Sequence, residues 1–531
     1  MITPDNATEL TTATRADVTA WTLADVLEYA ATQWGERVAL VDGERRCTYA
    51  ELRRRAREAA GGLARIGIRK GDRVAIWLPN SLEWVVAFFG AIYAGATVVA
   101  LNTALSTKEI EYQVTHSGAS LLIACSAYRN RDYLAEARQL RTEVGDHLRL
   151  VGVDHAGDAD ITSWAQLTHP AGDVVLPSID VTDPSIMLYT SGTTGRPKGA
   201  VHTHSFIATL SAALDHLEMR ETDVAVLYLP LFHILALVAG LVMLSLAGAR
   251  TVLMARFDAA TSLRLIRDEK ATIIYGIPTT YIDQLNNPLI DDIDFSGVRF
   301  AFTSLAPDLC QKVHDKTGVV CLNPYGMTET AALVMVAGLD DPPEIAMGTV
   351  GRPLAGMAAK VVDDITGLPV PHGESGALLM RGPSILWKYH DLPEATAAAF
   401  DDEGWFRTGD LASMDAAGNV TFIGRQGDGY RVGGELVDPV EVEAAIQSHP
   451  DVLRAAALGV PDERLGEVGH AWVHVRAEAT ATEPELLTHV TGRLASFKVP
   501  RRIHIVSELP TNPSGKVQKF RLRETLVSPK A

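Results

Sequence analysis

The stretch YTSGTTGRPKG at 189–199 concentrates groups suited to holding a polyphosphate. Glycines at 192, 195 and 199 let backbone N–H groups approach an anion closely, Thr190, Ser191, Thr193 and Thr194 add hydroxyl donors, and Lys198 adds a positive charge. It is not a Walker loop. That pattern needs Lys-Ser or Lys-Thr after its second glycine, whereas Gly195 is followed by Arg196, Pro197 and Lys198. An ordinary kinase or P-loop ATPase is therefore disfavoured, while composition alone leaves a Ser-, Thr- and Gly-rich surface turn open. Three further stretches carry charge and hydroxyls: NPYGMTE at 323–329, TGD at 408–410 with Gly424 and Arg425 beyond it, and LPTNPSGK at 509–516. Thr328 and Glu329 put a hydroxyl beside a carboxylate, the oxygen chemistry that hard cations prefer. Taken singly, the three stretches read equally as a helix start, a solvated turn and a surface lysine.

In this order the four stretches resemble the signature segments of the adenylate-forming superfamily of acyl-CoA synthetases, aryl-CoA ligases, peptide-synthetase adenylation domains and luciferases. The resemblance is to its AMP-dependent acid-CoA ligase branch and runs from about 49 to 516. It implies ATP, Mg²⁺ and coenzyme A as cofactors, and a small-molecule carboxylic acid that is activated as an acyl-adenylate and then passed to CoA. By the same resemblance, Thr190, Ser191, Gly192, Thr193, Thr194 and Gly195 bind phosphate, with Lys198 assisting. Asn323, Pro324 and Tyr325 belong to the nucleotide site, Tyr325 stacking near the adenine; Thr328 bonds the α-phosphate and Glu329 holds Mg²⁺. Asp410 accepts the ribose hydroxyls, and Arg425 touches ribose or phosphate. Lys516 reaches the acyl carboxylate and the α-phosphate, two anions that need a cation between them as charge shifts towards pyrophosphate. Gly433 and Gly434, near Arg431, match the loop that lines the thiol channel.

His233 falls where relatives place a gate beside the acyl pocket, with Phe232, Ile234 and Leu237 as apolar walls. Amino-acid-activating relatives carry an Asp about there, so the implied substrate is a fatty or aryl acid. The chain departs from the family at Gly427, where Asp or Lys is usual, at Pro324 in place of Gly, and at AFTSLAP (301–307), which stands near where a glycine-rich segment runs along the adenine. These departures keep two alternatives open: transfer to an amine or carrier protein, or activation of an unusual small oxyacid. A non-catalytic nucleotide-binding protein of the same fold is a third, against which Lys516, Glu329, Asp410 and Arg425 all argue.

The elements that position these residues alternate between strand and helix. A helical pattern at 51–66, a strand at 73–78 and a helix at 81–94 recur as strand, helix and strand at 251–254, 261–269 and 272–275, which predicts largely parallel sheets with helices on both faces. Short strands with Gly and Pro turns follow from about 355. The expected fold is α/β: an N-terminal domain over 1–425, made by resemblance of two α/β subdomains and a β-barrel, and a small mobile α+β lid over 426–531. The net charge of −17 argues against nucleic acid as a partner. Four scattered cysteines without CxxC spacing, and no basic-then-apolar leader, fit a cytoplasmic protein. The apolar stretches at 84–101 and 233–249 are expected to be buried core rather than stable membrane insertions. The expected assembly is a monomer or homodimer.

Overall fold

The computed structural model describes residues 15–170, 175–190, 197–303, 307–364, 366–426, 429–432, 435–437, 439–462, 465–491, 493–494, 496–511 and 517–527. The chain forms two compact units, 1–359 with 380–406, and 360–379 with 407–531.

Two large sheets build the first unit. One has seven strands in the order Cys321–Leu322, Phe300–Phe302, Ile273–Tyr275, Val224–Leu227, Arg250–Leu253, Val38–Asp42 and Arg45–Thr48. All its neighbours are parallel except the last pair. The other has eight, in the order Lys388–Tyr389, Lys198–Thr203, Pro184–Thr190, Thr97–Ala100, Arg73–Trp77, Leu121–Cys125, Arg149–Val153 and Ile161–Ser163. It is parallel from Pro184–Thr190 onward and antiparallel at its opposite edge. Parallel strands covered on both faces need continuous apolar runs, and all five residues of LLIAC are buried in Leu121–Cys125.

The apolar stretch at 84–101 divides into the helix Leu82–Tyr93, whose first turn is capped by the Ser81 hydroxyl accepting from Trp84 N, and the strand Thr97–Ala100. The second stretch becomes a π-helix, Leu235–Val242, continued by the α-helix Met243–Ala247. Residues 236–247 are all buried. The helix ends at Gly248 with φ 72°, where a Cβ would sit 2.3 Å from the Trp34 ring. Among the described residues no helix is long and apolar enough to cross a membrane. All four cysteines are buried and free, and burial pushes the Cys47 and Cys125 thiols up to about 12.

In the second unit, Ala358–Val362, Ser375–Arg381, Phe406–Met414 and Val420–Arg425 form a four-stranded sheet. A further sheet is ordered Glu435–Val437, Tyr430–Val432, Gly466–Val475 and Val452–Asp462, with Arg502–Val506 parallel to Gly466–Val475. The helices Pro439–Gln447 and Glu483–Thr491 bury Val442, Ile446, Leu486 and Val490 in its core.

Candidate active site

The residues that flank the phosphate-loop motif belong to two paired antiparallel strands. Pro184–Thr190 pairs with Lys198–Thr203 in a register that sets Thr190 opposite Lys198. Ser191, Gly192, Thr193, Thr194 and Gly195 lie outside the described residues. Thr190 and Lys198 are half-buried, and the Lys198 ammonium lies 5.1 Å from the ring centre of Tyr389 on the neighbouring edge strand.

The Thr-Glu pair, far away in sequence, is tied to the same hairpin. The His202 ring contacts the Thr328 carbonyl at 2.7 Å through Nε2. A carbonyl only accepts, so this nitrogen carries the proton. Burial lowers the His202 pKa to about 4, opposed by that same hydrogen bond, and the ring is neutral at pH 7. Glu329 is 7% exposed; its Oε1 accepts from the Tyr389 hydroxyl at 2.9 Å, and its backbone carbonyl accepts from Leu386 N at 2.7 Å. A buried carboxylate is tolerable only with such partners. The turn that delivers Thr328 and Glu329 depends on Gly326, where a Cβ would fall 1.4 Å from the Ala332 carbonyl oxygen. Asn323, Pro324 and Tyr325 are buried just before it, with Tyr325 bonded through its backbone to Val334 and Met335.

Neither His202 nor Tyr389 was singled out in the sequence. His202 reads there as one polar residue in an apolar strand, and Tyr389 as part of a short, unremarked segment. Among the described residues no group of three or more His, Cys, Asp or Glu gathers into a protein-only metal cage. A cation can also be held by a single carboxylate together with substrate phosphates, the kind of ligand set that the expectation for Glu329 calls for.

The topology also brings the residues expected beside an acyl pocket to one edge. The chain leaves Val224–Leu227 for the neighbour on one side, Arg250–Leu253, then crosses to Ile273–Tyr275 on the other. This is a switch point, where open α/β sheets form a crevice beyond their carboxyl ends. Residues 228–233, 276–278, 303 and 323–329 all follow carboxyl ends of this sheet. His233 is exposed, yet desolvation by surrounding protein lowers its pKa. Both hold for a side chain that reaches solvent from among packed neighbours. Phe232 is half-buried, whereas Ile234 and Leu237 are closed into the core at 3% and 0% exposure, with no water-sized space open on Leu237. The 276–278 segment (Gly-Ile-Pro) reaches the same edge and was not anticipated; its signal was a Gly and a Pro directly after a strand.

In the second unit, Asp410 and Arg425 are cross-strand partners, with Nε 3.3 Å from Oδ1. The Thr408 hydroxyl donates to the Leu378 carbonyl and accepts from Asp410 N, which places the TGD residues within the strand Phe406–Met414 rather than in a turn. Asp410 is buried and Arg425 half-buried. Arg431 lies on the strand Tyr430–Val432, its side chain outside the described part; Gly427, Gly433, Gly434 and Lys516 also lie outside the described residues.

The AMP-binding enzyme family model matches residues 27–390, and the model of the AMP-binding enzyme C-terminal domain matches 441–516. The chain belongs to this family, the adenylate-forming acid-CoA ligases. It is 34% identical over 519 residues, covering 95% of this chain and 98% of the relative, to the 3-[(3aS,4S,7aS)-7a-methyl-1,5-dioxo-octahydro-1H-inden-4-yl]propanoyl:CoA ligase of Rhodococcus jostii (strain RHA1). It is 32% identical to 4-coumarate–CoA ligase 1 of Solanum tuberosum, covering 94% of this chain and 92% of that one. Among solved structures, the anthranilate CoA ligase AuaEII in complex with anthranoyl-AMP matches with a TM-score of 0.86 at 29% identity, over 97% of this chain and 99% of the other.

Proposed function

We propose that this chain is an AMP-forming acid-CoA ligase that uses ATP to activate a carboxylic acid and then passes the acyl group to coenzyme A. The observation that carries the reading is the bond from His202 to the Thr328 carbonyl, which ties the hairpin bearing Thr190 and Lys198 to the turn bearing Glu329. That bond supports the reading because it holds the residues proposed to serve the phosphates close to those proposed to serve the cation.

In the first step an oxygen of the substrate carboxylate attacks the α-phosphorus of ATP, and pyrophosphate leaves. Activation is needed because a carboxylate's negative charge repels nucleophiles, whereas the mixed anhydride with AMP is neutral at the carbonyl. In the second step the CoA thiolate attacks that carbonyl and AMP leaves. Lys198 and the Thr190 hydroxyl serve the polyphosphate, Thr328 the α-phosphate, and Asp410 the ribose hydroxyls. Lys516 supplies the cation between the two reacting anions, from a lid over 426–531 that turns near Gly427 between the half-reactions. Glu329 would hold Mg²⁺, which supplies neutralisation of phosphate charge.

The cleft at His233 and Phe232 favours an acyl or aryl group with substantial apolar surface. Similarity to ligases named for bulky ring-bearing acids supports the same direction. The test is pyrophosphate release over a panel of fatty, aryl and dicarboxylic acids, with and without CoA. The expected result is release with one class of acid and thioester formation only when CoA is present. ATP turnover with none of the panel would overturn the reading.

A further inference from the structure

We propose that Tyr189, His116 and Tyr112 form a brace that sets where Thr190 and Lys198 stand, and so governs the affinity for the phosphates of ATP. The inference deepens the proposed function and rests on it. These are positioning residues: they act through the hairpin rather than by touching the nucleotide.

A hairpin tip is the least constrained part of a sheet. Ladder hydrogen bonds fix the register of Thr190 against Lys198, but a strand end is held less firmly by its ladder than the middle of the strand. Here the flanking residues are tied down from outside the hairpin. The helix Thr107–Ser117, started by a reciprocal cap between Ser106 and Glu109, lies along one side. From it, the Tyr112 hydroxyl donates to the Pro197 carbonyl at 3.0 Å, immediately before Lys198. The Tyr189 hydroxyl, immediately before Thr190, donates to the Gln113 carbonyl of the same helix at 3.1 Å. A phenol has one proton, and that bond uses it. The 2.9 Å contact between His116 Nδ1 and the Tyr189 hydroxyl is therefore a donation from the imidazole, which fixes the tautomer with the proton on Nδ1. On the other side, His390 N donates to the Gly199 carbonyl at 2.8 Å, and the His390 ring meets the His116 ring edge-on at 5.5 Å between centres.

Residues 189, 197 and 199 are thus each anchored, and Thr190 and Lys198 beside them inherit that placement. The stakes are catalytic because Lys198 lies over Tyr389, whose hydroxyl holds Glu329. A shift of the strand end that carries Lys198 moves the lysine relative to the carboxylate, and displacements of about 1 Å at a reacting centre cost on the order of 100-fold in rate.

The test is equilibrium binding of Mg·ATP to the full chain, which requires no knowledge of the acid, combined with thermal melting. Tyr189→Phe removes the central hydroxyl, Tyr112→Phe removes the second tie, and His116→Leu removes the Nδ1 donor. His116→Asn places an amide N–H where Nδ1 stands. Loss of one such bond is expected to raise the Kd for ATP about 5- to 10-fold in the Phe and Leu variants, with His116→Asn within about twofold of the wild type, and melting temperatures little changed. Variants that bind ATP as the wild type does would overturn the brace and leave the proposed function standing. A His116→Asn variant as weak as His116→Leu, or a loss of affinity that merely tracks a lowered melting temperature, would also overturn it, since the role would be structural only. A wild-type chain that does not bind Mg·ATP would remove the proposed function and the brace together.

Discussion

The Glu329 carboxylate gains its position from a phenol that lies 60 residues further along the chain. Tyr389→Phe keeps the ring under Lys198 and removes only the hydroxyl, so the expected outcome is a selective one. Pyrophosphate exchange at limiting Mg²⁺ should fall about tenfold, the effect of about 1.4 kcal/mol, and recover partly as Mg²⁺ is raised. A loss independent of Mg²⁺ would assign Tyr389 to packing alone. For Lys516→Ala, the balance of charge in the two half-reactions predicts a loss of pyrophosphate exchange by more than about 100-fold, with transfer from preformed acyl-adenylate to CoA largely retained. Equal losses in both assays would contradict that division of labour. Lys198, Thr328 and Glu329 stand out as candidates because each sits in a contiguous stretch whose chemistry is visible locally. His202 and Tyr389 do not. Their meaning lies in contacts spanning 126 and 60 residues, and a lone histidine in an apolar strand carries no local sign of its partner.

Among elements, the turn after Cys321–Leu322 bears the greatest local constraint. Gly326 leaves no room for a side chain, because the chain doubles back and presents the Ala332 carbonyl 1.4 Å from where a Cβ would be. Gly326→Ala must therefore shift backbone, not a flexible side chain, and the shifted residues are the ones that deliver Thr328 and Glu329. Pyrophosphate exchange should drop at least about 100-fold, and a rate within threefold of wild type would show that the turn relaxes without moving them. The alternation of strand and helix in the first unit was legible from periodicity, down to the helix that the structure places at Tyr49–Arg65. The π-helix Leu235–Val242 was not, since a segment that is apolar on every side has no stripe to report how many residues make a turn. For the same reason, Phe232, Ile234 and Leu237 look alike in the sequence, although Phe232 is half-buried and Ile234 and Leu237 are buried.

At the scale of the whole molecule, burial of imidazoles sets the response to acid. His202 and His204 have pKa values lowered by desolvation to about 4 from 6.5, and His204 Nδ1 accepts from Leu23 N, a bond that a protonated ring cannot make. The sign follows directly. Above about 6.5 both states are neutral and the contribution is fully present; between 6.5 and 4 the unfolded chain takes up protons that the folded chain refuses, so stability is lost as pH falls. Each ring contributes up to about 1.4 kcal/mol per pH unit across that window. Calorimetric melts should show the transition of the first unit moving steadily down over this range, and His204→Asn, which keeps an acceptor for Leu23 N but does not titrate, should flatten the slope. A pH-independent transition in the wild type would show the rings to be more hydrated than their surroundings indicate.

The seclusion of the sulfhydryls has a practical and a chemical side. A ligase that forms thioesters generates a potent acyl donor in its own interior, and any accessible thiol of the protein would compete with coenzyme A for it. With Cys47, Cys125, Cys310 and Cys321 all enclosed, the chain offers that donor no internal thief. Consumption of free CoA can accordingly be followed with a chromogenic disulfide reagent added directly to the folded enzyme, whose own sulfur stays silent until the protein is denatured.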